Sequence, residues 1–126
     1  MINPKLGEIS EEIASLLELD CASGAEIYIG RANIDHMKNR HKEDYAKYGM
    51  YISDILDEPD YVGINPKDNS IEFVKKFPAD NDYVKVAVRA SGGGKYFARS
   101  LYILNPSRVN NFLANGTLKP LTSGQA

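Results

Sequence analysis

The spacing of apolar positions changes near residue 60, from a period close to 3.6 to a period of two. In the first part, Ile9, Ile13, Leu16 and Leu17 make an apolar stripe behind Ser10, a helix-capping residue, with glutamates in the first turn. Residues 10–19 are therefore predicted to be a short helix. DCASG (20–24) breaks the pattern, and AEIYIG (25–30) alternates, as a short strand does. Behind Asn33, a second capping residue, apolar or aromatic side chains recur at Ile34, Met37, His41, Tyr45, Tyr48, Ile52 and Ile55. Those spacings are helical. Gly49 is expected to divide the run, leaving a further helix over about 50–57 that stops at EPD (58–60).

From Tyr61 onward the chain alternates. YVGI (61–64), SIEFVKKF (70–77), YVKVAVRA (83–90) and KYFARSLYIL (95–104) read as four strands separated by NPKDN, PADND and SGGG. NPSRVNNFLANG (105–116) reads as a capped last helix with Gly116 as its stop, and 117–126 as a tail. Helices first and hairpins afterwards predict an α+β fold, N-terminal helices packed on a four-stranded antiparallel β-sheet. At 126 residues this is one domain with its core over about 8–116.

Alternation sorts the last hairpin into two faces. Val84, Val86 and Val88 with Phe97, Leu101 and Ile103 are expected to face the core. Tyr83, Lys85, Ala87 and Arg89 with Tyr96, Ala98, Ser100 and Tyr102 are expected on the other side. With SGGG as the turn, Val88 would pair with Phe97 and Val84 with Leu101. Arg99 then falls on the core side, unless the strand edge or a bulge redirects it. Glu72 and Lys76 of the preceding strand would join the outer face. Cations that neutralise phosphates, among rings that stack on bases, suit single-stranded RNA. A merely solvated Lys/Arg/Tyr face is the plainer alternative.

Charge sharpens this picture. All 17 acidic residues lie at or before Asp82, whereas Lys85, Arg89, Lys95, Arg99, Arg108 and Lys119 follow it with no acid among them. The overall net charge of −2 hides that division. A C-terminal third this basic points to a polyanion. Composition is otherwise ordinary, 43% apolar and 25% charged. No apolar run is long enough to span a bilayer, so no membrane role is expected. The opening MINPKLGEIS has no basic segment followed by an apolar one, so no export leader is expected. The lone Cys21 fits a reducing compartment and is a poor candidate nucleophile.

IDHMKNRH (34–41) contains both histidines, His36 and His41. On one helix they would point about 140° apart, which does not suit a shared ion. No His-Glu-x-x-His or Cys/His cluster is present, so neither metal nor cofactor is expected. His41 falls on the apolar stripe and could be a partly buried structural residue, and His36 a plain surface one. With an ordinary pKa of about 6.5, a histidine can also move protons at neutral pH, worth roughly 10²–10⁴ in rate. RNA supplies its own nucleophile, the 2′-hydroxyl. Cleavage then needs a base, an acid for the 5′-oxygen and cations for the phosphate. His36, His41 or Glu72 could transfer protons, and Lys85, Arg89 and Arg99 could supply charge.

EIYIGRANIDHMKNRH, ILDEPDYVGI, SIEFVKKF and YVKVAVRASGGGKYFARSLYIL, taken in that order, resemble the barnase–EndoU–colicin–RelE (BECR) superfamily. Within it they resemble the phage-associated nuclease domains found in prophage proteins and polymorphic toxins. The likeness covers about residues 25–104. It maps a His-x-x-x-x-His pair onto His36 and His41, a sheet-opening motif onto Pro59 to Tyr61, and an Arg-Ser/Thr-x-Tyr motif onto Arg99, Ser100 and Tyr102. Serine replaces the frequent threonine at 100 and keeps the hydroxyl.

The resemblance implies a metal-independent endoribonuclease that leaves a 2′,3′-cyclic phosphate. His36, His41, Arg99, Ser100 and Tyr102 would be its catalytic candidates. Lys85, Arg89, Tyr83, Tyr96, Glu72 and Lys76 would bind substrate. RNA, tRNA among it, is the expected partner, together with an acidic immunity or antitoxin protein over the basic face. The site of action would be the cytoplasm, with delivery inside a larger phage or toxin protein also open. A non-catalytic RNA- or protein-binding module and a structural phage component are the alternatives.

Overall fold

The computed structural model describes residues 4–91 and 94–121. The strands are β1 (Lys5–Glu8), β2 (Glu26–Tyr28), β3 (Tyr61–Ile64), β4 (Ile71–Phe77), β5 (Asp82–Ala90), β6 (Tyr96–Leu104) and β7 (Leu118–Pro120). The helices are α1 (Glu11–Leu16), α2 (Arg31–Arg40), α3 (Lys42–Tyr48), α4 (Ile52–Asp57) and α5 (Pro106–Ala114). The fold is α+β. Its sheet has seven strands in the order β1-β2-β6-β5-β4-β3-β7, not the four expected. The expected four form an antiparallel run, β3 to β6. β2 adds to β6 in parallel, and β1 and β7 extend the two edges. β1 and β7 span only four and three residues, too few to alternate visibly, and their partners are distant in sequence. Residues 118–120, expected within a tail, are thus an edge strand, while 122–126 lie outside the described residues.

Local sequence accounts for most helix boundaries. Ser10 accepts a hydrogen bond from the Ile13 N–H, and α1 ends before Glu18, whose φ of 58° is left-handed. Gly30, rather than Asn33, caps α2, and Asn33 accepts the Gly30 N–H from within the first turn. Asn105 caps α5 through the Ser107 N–H, with Pro106 pre-set at its first position. The histidine-bearing run divides at Gly49 as expected, and also at an earlier point. His41, at φ −140° and ψ 62°, ends α2 and opens α3, eight residues before Gly49. The break lets Met37 and Tyr48 both enter the core while Asp44 turns to the sheet edge.

One face of the sheet is apolar throughout its centre. Phe73, Val84, Val86, Val88 and Leu101 pack there with Ile13, Met37, Tyr48, Ile52 and Ile55 from the helices. The opposite face has a smaller core, where Val109 of α5 covers Val74, Leu104 and Leu118. Gly63 makes that second core possible. A Cβ on it would lie 1.9 Å from the Thr117 carbonyl oxygen, so only glycine lets β7 close against β3.

Arg99 is the unpaired residue of a bulge in β6. Ala87 faces Ser100 on one side of it, and Val88 faces Ala98 on the other. The expected pairings Val88–Phe97 and Val84–Leu101 are replaced by Val88–Ala98 and Val84–Ile103.

Candidate active site

β4, β5 and β6 bring Glu72, Lys85, Ser100 and Tyr102 to the face that α5 leaves open. Glu72 faces Ala87 across one strand pair, Lys85 faces Tyr102 across the next, and Ala87 faces Ser100. Glu72 and Lys85 are therefore diagonal neighbours, with the small Ala87 between them and Ser100. Their ion pair is 2.6 Å long, and only 4% and 5% of the two residues is exposed. The Asn65 amide, from the turn after β3, donates to the same carboxylate oxygen at 3.4 Å. Burial pulls the Lys85 ammonium down, but Glu72 and Tyr102 more than offset it, and its pKa stands above the ordinary lysine value.

The row continues towards α2 and α3. The Lys85 ammonium sits 4.6 Å from the centre of the Tyr102 ring. The half-buried His41 ring stacks on Tyr102 at 4.8 Å, with 27° between the planes. β2 covers the edge of β6 only at Tyr96 and Phe97. Further along that edge the Asp44 carboxylate accepts the Ile103 N–H at 3.0 Å and ties α3 to the sheet. A proton carrier, a phenol, a cation and a carboxylate are thereby held in sequence across three strands and a helix junction. Such groups can move protons and stabilise a developing anion.

The structure gathers some of the sequence-derived candidates and separates others. His41, Tyr102, Lys85 and Glu72 form the row, with half-buried Ser100 beside Ala87. Arg89 and Arg99 are exposed at the hairpin end of the same strands. His36 is exposed on α2. Lys76 and Tyr83 lie at the α5 end, the ammonium 5.5 Å from the ring, and Tyr83 packs on the smaller core. Tyr96 departs from its expected face. Beyond the bulge at Arg99 the alternation reverses, so Tyr96 pairs with Ala90 and packs against the main core. Phe97 instead faces Arg89, with its ring 6.0 Å from Tyr28.

Three residues that sequence reading passed over belong to this region. Asn65 and Asp44 touch the row or its support. Asp68 lies within the field of Arg89 and Lys85. Hydrogen bonds from Ser70 first, and then those two cations, hold the Asp68 carboxyl below the ordinary carboxylate range. In sequence Asn65 and Asp68 look like turn formers, which they also are, and nothing local shows where that turn lands.

Among the described residues no three His, Cys, Asp or Glu side chains converge as metal ligands, and no helix is long and apolar enough to cross a membrane. No curated protein and no solved structure matches the chain. One family model does, described as phage-Barnase-EndoU-ColicinE5/D-RelE like nuclease3, over residues 4–111. That span contains the whole row and every strand except β7. The chain therefore belongs to the phage-Barnase-EndoU-ColicinE5/D-RelE like nucleases.

Proposed function

We propose that this nuclease-family chain is an endoribonuclease that needs no metal and cuts RNA through its own 2′-hydroxyl. The supporting observation is the row His41–Tyr102–Lys85–Glu72 on a sheet face of a nuclease fold. The 2′-oxygen attacks phosphorus, the P–O5′ bond breaks, and a 2′,3′-cyclic phosphate remains. One group takes the 2′-hydroxyl proton and another gives a proton to the departing 5′-oxygen. His41 is favoured for one of these transfers because it is both half-exposed and fixed against Tyr102. Glu72 is the candidate for the other, held by Lys85. The raised pKa of Lys85 keeps a cation beside the site, and the Tyr102 and Ser100 hydroxyls offer donors to the phosphate. Exposed Arg89 and Arg99 would draw the polyanion in. His36, outside the row, has no step in this scheme.

The same reading makes the chain a toxin or prophage effector acting on cytoplasmic RNA, tRNA among its candidate targets. An acidic immunity or antitoxin protein would cover the basic rim. The phage origin in the family description supports it.

The test is incubation with total RNA, with and without EDTA, comparing wild type with His36→Ala and His41→Ala. Cleavage that survives EDTA, ends in cyclic phosphate, and disappears in His41→Ala but not in His36→Ala is the expected result. Intact RNA in every lane sinks the proposal. One observation favours a second reading as a non-catalytic RNA-binding module: Glu72 and Lys85 satisfy one another and are almost completely covered. That reading predicts salt-dependent RNA binding without products.

A further inference from the structure

α3 has a second working face. His41, Asp44 and Tyr48 turn towards β6 and the core, and the residues beside them line an open groove between α2, α3 and the turn at Gly49–Tyr51. The groove measures about 680 Å³, within the range of small-molecule sites. Lys38, Asn39, Lys42, Tyr45, Gly49 and Met50 line it with Ala46, and none of these is a carboxylate. Met50 is 80% exposed. Gly49 lies close against the Tyr45 ring, since a Cβ there would meet it at 2.9 Å. The Lys38 ammonium stands 5.7 Å from the centre of that ring.

We infer that this groove is a subsite for single-stranded RNA flanking the scissile bond. The inference rests on the ribonuclease reading and extends its footprint. Apolar side chains beside two lysines suit a nucleotide, with the base against Tyr45 and Met50 and phosphates against Lys38 and Lys42. The Asn39 amide can donate to and accept from a base edge. The groove and the row share the α2–α3 junction, where Lys42 directly follows His41, so one strand crossing that junction meets both places. The groove's charge complements a polyanion.

The test uses the full chain and two labelled probes that cannot be cut, a 2′-O-methyl oligoribonucleotide and a 2′-O-methyl dinucleotide. Affinities are read by fluorescence anisotropy across a salt series. Both variants, Lys38→Gln/Lys42→Gln and Met50→Ser, change exposed side chains, and circular dichroism checks that they fold. In the lysine variant the oligomer's advantage over the dinucleotide should shrink about tenfold. Its log–log salt slope should fall by about 0.7 for each lysine removed. Met50→Ser should weaken the oligomer several-fold and leave the slope alone. Oligomer affinity and slope equal to wild type in both variants would overturn the inference and leave the groove to some other partner. Failure of the wild type to bind the oligomer would overturn it as well. Should no RNA be cut while these losses appear, the ribonuclease reading fails, and the groove stands as an RNA-binding site without a scissile bond beside it.

Discussion

The two faces of the sheet solve burial in opposite ways. On one face the strand side chains at the centre are apolar and the helices close over them. On the other, α5 covers a smaller cluster of Val74, Leu104 and Leu118, with Tyr61, Tyr83 and Tyr102 packed against it, and beside that patch lies a nearly inaccessible ion pair. The first arrangement explains itself by area removed from water. The second does not. Taking two charges out of water costs several kcal/mol per ion, and well-packed hydrophobic residues often serve stability as well or better. A charged pair retained there, touching a tyrosine that touches a histidine, is better explained by chemistry than by cohesion.

Breaking the ion pair from one side is the severest test of that contrast. Glu72→Ala strands the Lys85 ammonium in a covered site and should cost about 3–5 kcal/mol, read by urea unfolding at neutral pH. Glu72→Met with Lys85→Met together should recover most of that loss and abolish activity. If the double variant is as unstable as Glu72→Ala, the pair is structural after all. The pH dependence has a definite sign. Lys85 titrates above its unfolded value, so its contribution is complete below the unfolded lysine pKa of about 10.4 and disappears as pH rises through the folded value.

Next in size is Gly63→Ala, which attacks the partial cover over the second face. The new methyl would meet the Thr117 carbonyl, and overpacking of this kind costs about 1–3 kcal/mol. Faster amide exchange should concentrate in β7, α5 and β3, with the helices of the main core unaffected. Uniformly faster exchange would mean that the two faces do not behave as separate units.

Much of this fold is legible in the sequence because period and propensity agree. The helical spacing of Ile9, Ile13, Leu16 and Leu17 and the alternation from Tyr61 to Leu104 report real elements, and Asn105–Pro106 announces α5. What escapes has a common cause. β1 and β7 exist only through partners far along the chain, and although Arg99's place in the alternation raises a bulge as one option, the reversal it imposes on Tyr96 and Phe97 has no local mark. That single slip sends Tyr96 to the core and brings Phe97 beside Arg89. The outer-face residues nearest the strand centres, Lys85, Glu72 and Tyr102, are legible from alternation. Their mutual contact is not, since it depends on the diagonal register between strands.

The apolar face also holds a polar cluster at Asp82, and it predicts a smaller loss. The Tyr48 hydroxyl donates to Asp82 at 2.6 Å, and Lys47 joins the same carboxylate at 3.0 Å. Burial, then Asp82, pushes the Tyr48 phenol up to about 12, while Tyr48, then Lys47, holds the Asp82 carboxyl below its ordinary range. Tyr48→Phe should cost about 0.5–1.5 kcal/mol near neutrality. Stability from Tyr48 is complete below the unfolded tyrosine pKa of about 10 and is lost as pH rises towards about 12. Stability from Asp82 is present above the unfolded aspartate pKa of about 3.9 and is lost as pH falls through the lower folded value. The gap between wild type and Tyr48→Phe should therefore close at both extremes. A constant gap would show that the ring's packing, not its hydroxyl, matters.

The smallest stability effect should come with a clear effect on activity, at Asp44, which ties α3 to the edge of β6. Asp44 accepts the Ile103 N–H and lies one helical turn from His41. Asp44→Ala leaves that edge N–H to water, so the stability loss should stay near or below about 1 kcal/mol. Its effect is expected on position instead, since His41 sits at a break between helices and Asp44 braces the α3 side of that break against β6. A displacement of this kind can cost as much as about 10²-fold in rate. RNA cleavage should accordingly fall far more than stability does, with kcat rather than KM absorbing the change. A pH–rate profile would separate positioning from general weakening: the histidine limb should survive with reduced amplitude in Asp44→Ala and vanish in His41→Ala. If Asp44→Ala cleaves like wild type, the brace is dispensable and the geometry at His41 is set by its stack on Tyr102 alone.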